Sequence, residues 1–404
     1  MKSEVALRRA VIFGAGNVGR GLLGQVFSEA GLEVVFVDVA DQLIAALNHD
    51  RGYLHITVDN DSRHEVVITP VRAVRADDPD AVREALLDAA VAATCVGSRV
   101  LPAVCRTIAP ALLARIRAGR PPLNLLLAEN LHGAAAKVHD WLQEAEPELN
   151  DSLLAGVGLV PTSIGRMIPA PGAAIARRGV AAIEVEPYRF LPIDASAVRG
   201  DFPTIPAVVV DPTVDFDFYS DRKLFLHNMG HAACAYLGRL CGDTYVWQTI
   251  ARPELRAIVR GAMLESMCAL ASHYRRPAGP LLDHVDDLLH RFANRALGDT
   301  NERVGRDPRR KLAAEDRFVG AIALCRQEGI AARHISVGLA AGLHGMAAEE
   351  GLTAEQSAAF LAAQGLDAQE AALVGEYLKA LADGLDPEQL MAVMDRRFSE
   401  SRIP

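Results

Sequence analysis

A short apolar run, Ala10-Val11-Ile12-Phe13, passes directly into Gly14-Ala15-Gly16-Asn17-Val18-Gly19, and a helical pattern follows from Val18 to Ala30. Nothing else in the chain restricts the fold as strongly. Glycines at this spacing permit a tight turn and let backbone N–H groups approach a pyrophosphate at the positive end of the helix. A second strand, Glu33 to Val37, ends in Asp38, 19 residues after the last glycine. A carboxylate there accepts hydrogen bonds from the adenosine ribose hydroxyls and repels a 2′-phosphate. No Arg follows immediately, so NAD is expected rather than NADP, held by Gly14, Gly16, Asn17, Val18, Gly19 and Asp38. The alternative is a structural glycine turn in an α/β protein that binds no nucleotide.

A chain of 404 residues is too long for one core. Beyond the first βαβ unit, Tyr53–Thr57 and Glu65–Thr69 are expected to form a hairpin around Asp59-Asn60-Asp61-Ser62. Val91–Val96 and Asn124–Ala128 have the character of buried strands, and helices are expected from Val100 and from near Gly133. From about Asp201 a Pro-rich connection leads into helical patterns at Tyr219–Leu240, Pro253–Tyr274, Pro280–Ala296, Lys311–Glu328 and Ile335–Ala347. Thr353 to Phe398 adds about three more helices. The expected class is α/β: a Rossmann-type dinucleotide-binding domain at 1–200, a mostly α-helical substrate domain at 201–346 and a helical extension at 347–404.

The formal net charge of −9 argues against a nucleic-acid partner. Met1 to Arg9 mixes charges of both signs without a long apolar run, so neither a signal peptide nor a membrane span is expected. The six cysteines include no CxxC pair and are expected to be reduced core residues of a cytoplasmic protein. Monomer and dimer both remain open.

The segment Arg222-Lys223-Leu224-Phe225-Leu226-His227-Asn228-Met229-Gly230-His231 sets Lys, Asn and His at i, i+5 and i+8. On an α-helix Asn228 lies roughly 140° around from Lys223 and His231 roughly 80°, so all three share one side. Ala232 to Leu237 continues the helix with apolar residues. A buried Lys is rare unless its charge is used or its pKa is lowered for proton transfer. The plainer alternative is a Lys223 that reaches back to water, with Asn228 and His231 satisfying buried backbone groups. His227 and His231 stand at metal-ligand spacing, but the Glu of HExxH is missing and no third ligand is evident, so no metal is expected.

Together, Gly14 to Gly21, Ala128-Glu129-Asn130, the Arg222–His231 helix with Ala235-Tyr236-Leu237-Gly238, and Arg303-Val304-Gly305-Arg306-x-Pro308-x-Arg310-Lys311-Leu312 resemble the polyol-specific long-chain dehydrogenases. The resemblance spans about residues 10–346, and the Arg-rich stretch is similar to that of the family's sugar-phosphate branch. It implies metal-independent, NAD-dependent interconversion of D-mannitol 1-phosphate and D-fructose 6-phosphate. Lys223 would be the base, Asn130 and Asn228 would donate to the oxygen at the reacting carbon, and His231 would orient Lys223 or the substrate hydroxyl. Asn130 is also open to a simpler role as a cap on the helix near Gly133. Arg303 to Lys311 carries five basic residues and one acid, a natural phosphate site. Arg306, Arg310 and Lys311 are the expected ligands, with Arg20 adding charge; a solvated turn paired with nearby acids is the alternative.

One position departs from the family's pattern: Gly165-Arg166 stands where an Asp-Arg pair is usual. The missing carboxylate leaves three functions open. The first is the phosphate-sugar reaction. The second is the same chemistry on an unphosphorylated polyol or a hexuronate, and the third is an NAD(H) sensor without turnover. In each case the ligands are small molecules.

Overall fold

The protein is described from a computed structural model over residues 8–169, 172–386 and 389–390. It divides into two compact units, Met1–Phe216 and Asp217–Pro404. The first unit runs β1 (Arg9–Phe13), a helical segment at Gly19–Leu23, α1 (Gly24–Glu29), β2 (Glu33–Asp38) and α2 (Asp41–Asp50). Next come β3 (Tyr53–Asp59), β4 (Ser62–Ile68), β5 (Val71–Arg75), α3 (Pro79–Leu87), β6 (Ala89–Thr94) and α4 (Leu101–Arg117). β7 (Leu123–Leu127), α5 (Ala134–Ala145), α6 (Asp151–Leu154) and β8 (Val157–Pro161) follow. The unit ends with α7 (Ala173–Ala176), β9 (Ile183–Val185), β10 (Leu191–Ile193) and β11 (Val208–Val210).

One parallel sheet has the order β5-β2-β1-β6-β7-β8. The order reverses between β1 and β6, which is where ligands of such sheets bind, beyond the carboxyl ends of the strands. β1 shows why these residues form a central strand: Ala10 and Ile12 pack on one face with Leu22, Val26 and Phe27, and Val11 and Phe13 on the other with Leu86, Ile108 and Leu112. Both faces are dry, so the strand is apolar throughout rather than alternating. The expected hairpin forms as β3 and β4, with β9 added along β3. β6 ends at Thr94, two residues before the expected Val96, because the Val96 N–H turns away from the ladder to a carboxylate, Glu129 Oε1, at 3.0 Å.

The second unit is helical: α8 (Phe216–Asp221), a segment at Arg222–Asn228, α9 (Met229–Leu240), α10 (Val246–Ala251), α11 (Pro253–His273) and α12 (Ala278–Phe292). It continues with α13 (Asn301–Gly305), α14 (Pro308–Lys311), α15 (Val319–Gln327), α16 (Arg333–Glu350), α17 (Ala354–Ala362) and α18 (Ala368–Ala382). α9 is enclosed by α11, α13 and α16, and α18 lies along α16. The expected single helix Lys311–Glu328 is broken between α14 and α15. Asp316 holds the break, pairing with Arg310 at 2.9 Å and with Arg317 at 2.8 Å. The part of the expected third C-terminal helix at 387–388 and 391–398 lies outside the described residues. Cys105, Cys234 and Cys325 are buried as expected, whereas Cys268 is exposed. Among the described residues no helix is long and apolar enough to cross a membrane.

Arg20 corrects an expectation. Its guanidinium is buried and donates to the carbonyls of Ala15 and Ala181, both at 2.6 Å, and of Ala182 at 3.2 Å. It ties the glycine turn to the loop before β9 instead of standing open to a phosphate. Replacing it strands buried acceptors, each worth about 1–3 kcal/mol. Arg20→Met should therefore lower the thermal midpoint by several degrees in calorimetry while leaving the substrate KM close to that of the parent.

Candidate active site

The three glycines of the turn have different physical reasons. Gly14 has φ +104°, a conformation that L side chains rarely adopt. A Cβ on Gly19 would lie 2.0 Å from the Gly14 carbonyl oxygen, so only glycine lets the helix start against the strand. A Cβ on Gly16 would meet no protein atom within 4 Å, and Gly16 is exposed. Nothing inside the protein requires a glycine there, which fits close approach of a pyrophosphate to the backbone. Asn17 donates its amide to Pro169 O at 3.4 Å, and half-buried Val18 enters the helix. Asp38 Oδ2 accepts the Ala15 N–H at 2.7 Å, and Oδ1 accepts those of Val39 and Ala40 at 2.8 and 2.9 Å. The carboxylate thus fastens the end of β2 to the turn and keeps lone pairs for a ribose.

Beyond β7, Asn130 is exposed. It does not cap α5, whose first residue follows Gly133 at φ 64° without any side-chain cap. The neighbouring Glu129 was not singled out as a site residue in the sequence. It is buried and accepts the Thr94 hydroxyl at 2.7 Å. Burial pushes its pKa up, against the Thr94 and Val96 hydrogen bonds, which favour the charged form.

In the helical unit, the segment Arg222–Asn228 winds as a π-helix, with the Met229 N–H reaching back to the Leu224 carbonyl. Each i→i+5 bond adds a residue to the turn, so the chain sweeps less angle per residue than in an α-helix. Asn228 therefore comes closer to the Lys223 side than the α-helical projection of roughly 140° allows. Arg317, at the break before α15, donates to Asn228 O at 3.4 Å. Burial lowers the Lys223 pKa to about 8, with a further contribution from Arg317. No ion pair is made by Lys223 among the described residues. His231 stacks on Phe292, with centroids 4.9 Å apart and 9° between planes, and its Nε2 lies 3.2 Å from Asp299 Oδ2. Its neighbour His227 is buried, and burial, then Arg291, carry its pKa well below the usual range. Among the described residues no group of three or more His, Cys, Asp or Glu side chains could hold a metal ion.

The basic stretch is largely engaged. Arg303 chelates Asp299 with two hydrogen bonds of 2.7 Å, Arg309 pairs with Glu350, and Arg310 reaches Asp307 at 2.6 Å and Asp316 at 2.9 Å. Lys311 is buried and donates to Val304 O at 2.6 Å; burial, then Arg317 and Arg310, lower its pKa to about 8. Arg306 is exposed and makes no ion pair among the described residues. In the first unit, Gly165 sits against Tyr188, and a Cβ there would lie 2.9 Å from the ring. An Asp at 165 is thus excluded unless Tyr188 moves.

Residues 8–207 match the family described as mannitol dehydrogenase Rossmann domain, and residues 215–380 match mannitol dehydrogenase C-terminal domain. A relative named mannitol-1-phosphate 5-dehydrogenase from Brevibacillus brevis is 33% identical over 83% of this chain and 85% of its own length. A relative of the same name from Caldanaerobacter subterraneus subsp. tengcongensis is also 33% identical, over 83% and 86%. Among solved structures, Pseudomonas fluorescens mannitol 2-dehydrogenase, a ternary complex with NAD and D-mannitol, shares the fold at TM-score 0.75 and 18% identity. That match covers 97% of this chain and 95% of the other. A D-sorbitol dehydrogenase in substrate-free form matches at TM-score 0.70 and 19% identity, covering 95% and 91%.

The glycine geometry separates two variants. Gly19→Ala forces backbone to shift and should destabilise the protein by about 1–3 kcal/mol. Gly16→Ala should leave the thermal midpoint unchanged while weakening NADH binding about tenfold or more, by loss of close backbone approach. Calorimetry and NADH fluorescence titration on both variants check this.

Proposed function

The chain belongs to the mannitol dehydrogenase family, and from that premise we propose that it is an NAD-dependent dehydrogenase interconverting D-mannitol 1-phosphate and D-fructose 6-phosphate without a metal. The lowered pKa of Lys223 on a π-wound turn that also bears Asn228, with His231 one turn on, supports this reading. Bound between the glycine turn and Asp38, NAD would supply the hydride acceptor for the secondary alcohol, and NADH the donor for the ketone. The glycine turn and Asp38 hold the dinucleotide. Lys223, its pKa lowered to about 8, accepts the hydroxyl proton in oxidation and delivers it in reduction. Asn228 and Asn130 supply hydrogen-bond donors for the oxygen on which charge develops. His231 orients the hydroxyl or the amine. A base in the form of a neutral amine makes a metal unnecessary, so activity in excess EDTA should be undiminished. The helices at 347–382 extend the substrate unit in this proposal.

Arg306 is the residue assigned to the substrate phosphate, since its guanidinium is exposed and makes no ion pair among the described residues; Arg310 and Lys311 flank it with positive charge. The engagement of Arg303, Arg309 and Arg310 by acids, and the burial of Lys311, favour a second reading in which the substrate is an unphosphorylated polyol. Arg306→Ala separates the two. On the first reading it raises KM for the phosphorylated sugar about tenfold or more, through loss of charge-assisted hydrogen bonds, with KM for NADH unchanged. On the second it changes neither.

Lys223 titrates at about 8 because burial favours the neutral amine. Alcohol oxidation needs that neutral form, so kcat/KM for oxidation should rise with pH through about 8, and ketone reduction should fall over the same range. Lys223→Ala should reduce kcat about 100-fold or more and flatten that limb of the profile. NADH binding should be nearly intact. Near-normal turnover in this variant would overturn the assignment.

A further inference from the structure

His231 is held by more than its helix. Its ring stacks on Phe292 at the end of α12, and its Nε2 faces Asp299 Oδ2 at 3.2 Å. Asp299 is 7% exposed and belongs to a framed turn. Its carbonyl accepts the Val246 N–H at 3.0 Å, and the next residue, Thr300, bridges to Tyr245. Asn301 then ties the turn to Asp243 O at 2.9 Å and to Thr249 Oγ1 at 3.1 Å. One helical turn on, the Arg303 fork grips both carboxylate oxygens at 2.7 Å. The carboxylate is therefore held by the guanidinium, and the buried Nε2 of His231, which has no aligned hydrogen-bond partner, lies 3.2 Å from its Oδ2.

We propose that Asp299 is a positioning residue for the reaction, accepting Nε2–H of His231 so that the neutral ring presents Nδ1 as its acceptor, with Arg303 setting the carboxylate. A neutral imidazole has one donor and one acceptor, and the partner of the donor decides which nitrogen is which. The inference rests on the reading of His231 as an active-site residue. Burial would push the Asp299 pKa up, but His231 and Arg303 outweigh it and hold the group below its usual value, so it stays an acceptor. The other titratable groups facing the ring's surroundings are His227 and Lys223 on its own helix, and Arg291 and His284 beside His227. None is a carboxylate. Asp299 is thus the acid that the second unit sets beside His231.

The test uses the full-length protein and the variants Asp299→Asn, Asp299→Glu, His231→Ala and the double variant Asp299→Asn/His231→Ala. Asp299→Asn should lower kcat about tenfold to hundredfold, the scale of losing an orienting partner, with KM for NADH within about twofold. In the His231→Ala background the same change should cost less than about twofold, because the partner is gone. Asp299→Glu should recover part of the loss. In nitrogen-15 spectra of histidine in the unmodified protein, neutral His231 should carry its proton on Nε2, a readout that stands even if Asp299→Asn fails to fold. A proton on Nδ1, or equal losses in both backgrounds, would overturn the inference and leave the catalytic helix standing. Unchanged turnover in His231→Ala would instead overturn the role of His231, and the inference with it.

Discussion

The proposed chemistry depends on the half-buried Lys223, whose surroundings disfavour the charged form of its amine. An ammonium withdrawn from water without a carboxylate partner is disfavoured, and its pKa falls. A stability-driven design would place an acid beside it. This chain places Arg317 nearby instead, adding positive charge and pushing the amine further towards its neutral form. On the proposed function, stability is sacrificed locally for a proton acceptor that works near neutral pH, the pattern expected where a perturbed group has a task. The helices around α9 serve this end by enclosing it, from Ala232 to Leu237, in apolar packing.

Two departures from α-helical winding fall at candidate site residues, one in each unit. Gly19–Leu23 winds as a π-helix immediately after the glycine turn, and Arg222–Asn228 does so under Lys223 and Asn228. π turns are less favourable than α turns and persist where the surroundings require them. In the first, the helix must begin against the Gly14 carbonyl, which leaves no room for a side chain at Gly19. In the second, the wider turn alters which residues share a side, so a Lys and an Asn five apart lie closer around the axis than in an α-helix. Neither constraint is local in energy: each is maintained by packing from elements distant in the chain.

Local signals made much of this legible in the sequence. The glycine spacing, the acid after β2 and the apolar strands gave the nucleotide fold, because backbone sterics and burial on both sheet faces leave few other solutions. The Lys, Asn and His set was visible because its residue types are costly to bury. The π winding was hidden, since projecting residues at about 100° each presumes α geometry. Arg317, Asp299 and Glu129 carried no signal as site residues, as each acquires its role from partners far along the chain. The engagement of Arg303, Arg309 and Arg310 was equally invisible: a cluster of like charges in sequence does not say which acids the fold will bring to it. Arg20 misled for the same reason, its guanidinium being taken by carbonyls of Ala15, Ala181 and Ala182.

The most direct measurement is NADH oxidation by the purified protein in excess EDTA, with D-fructose 6-phosphate and D-fructose offered separately. The account predicts rapid oxidation with the phosphorylated ketose and little with fructose. No oxidation with either sugar, in a protein that binds NADH, would contradict it.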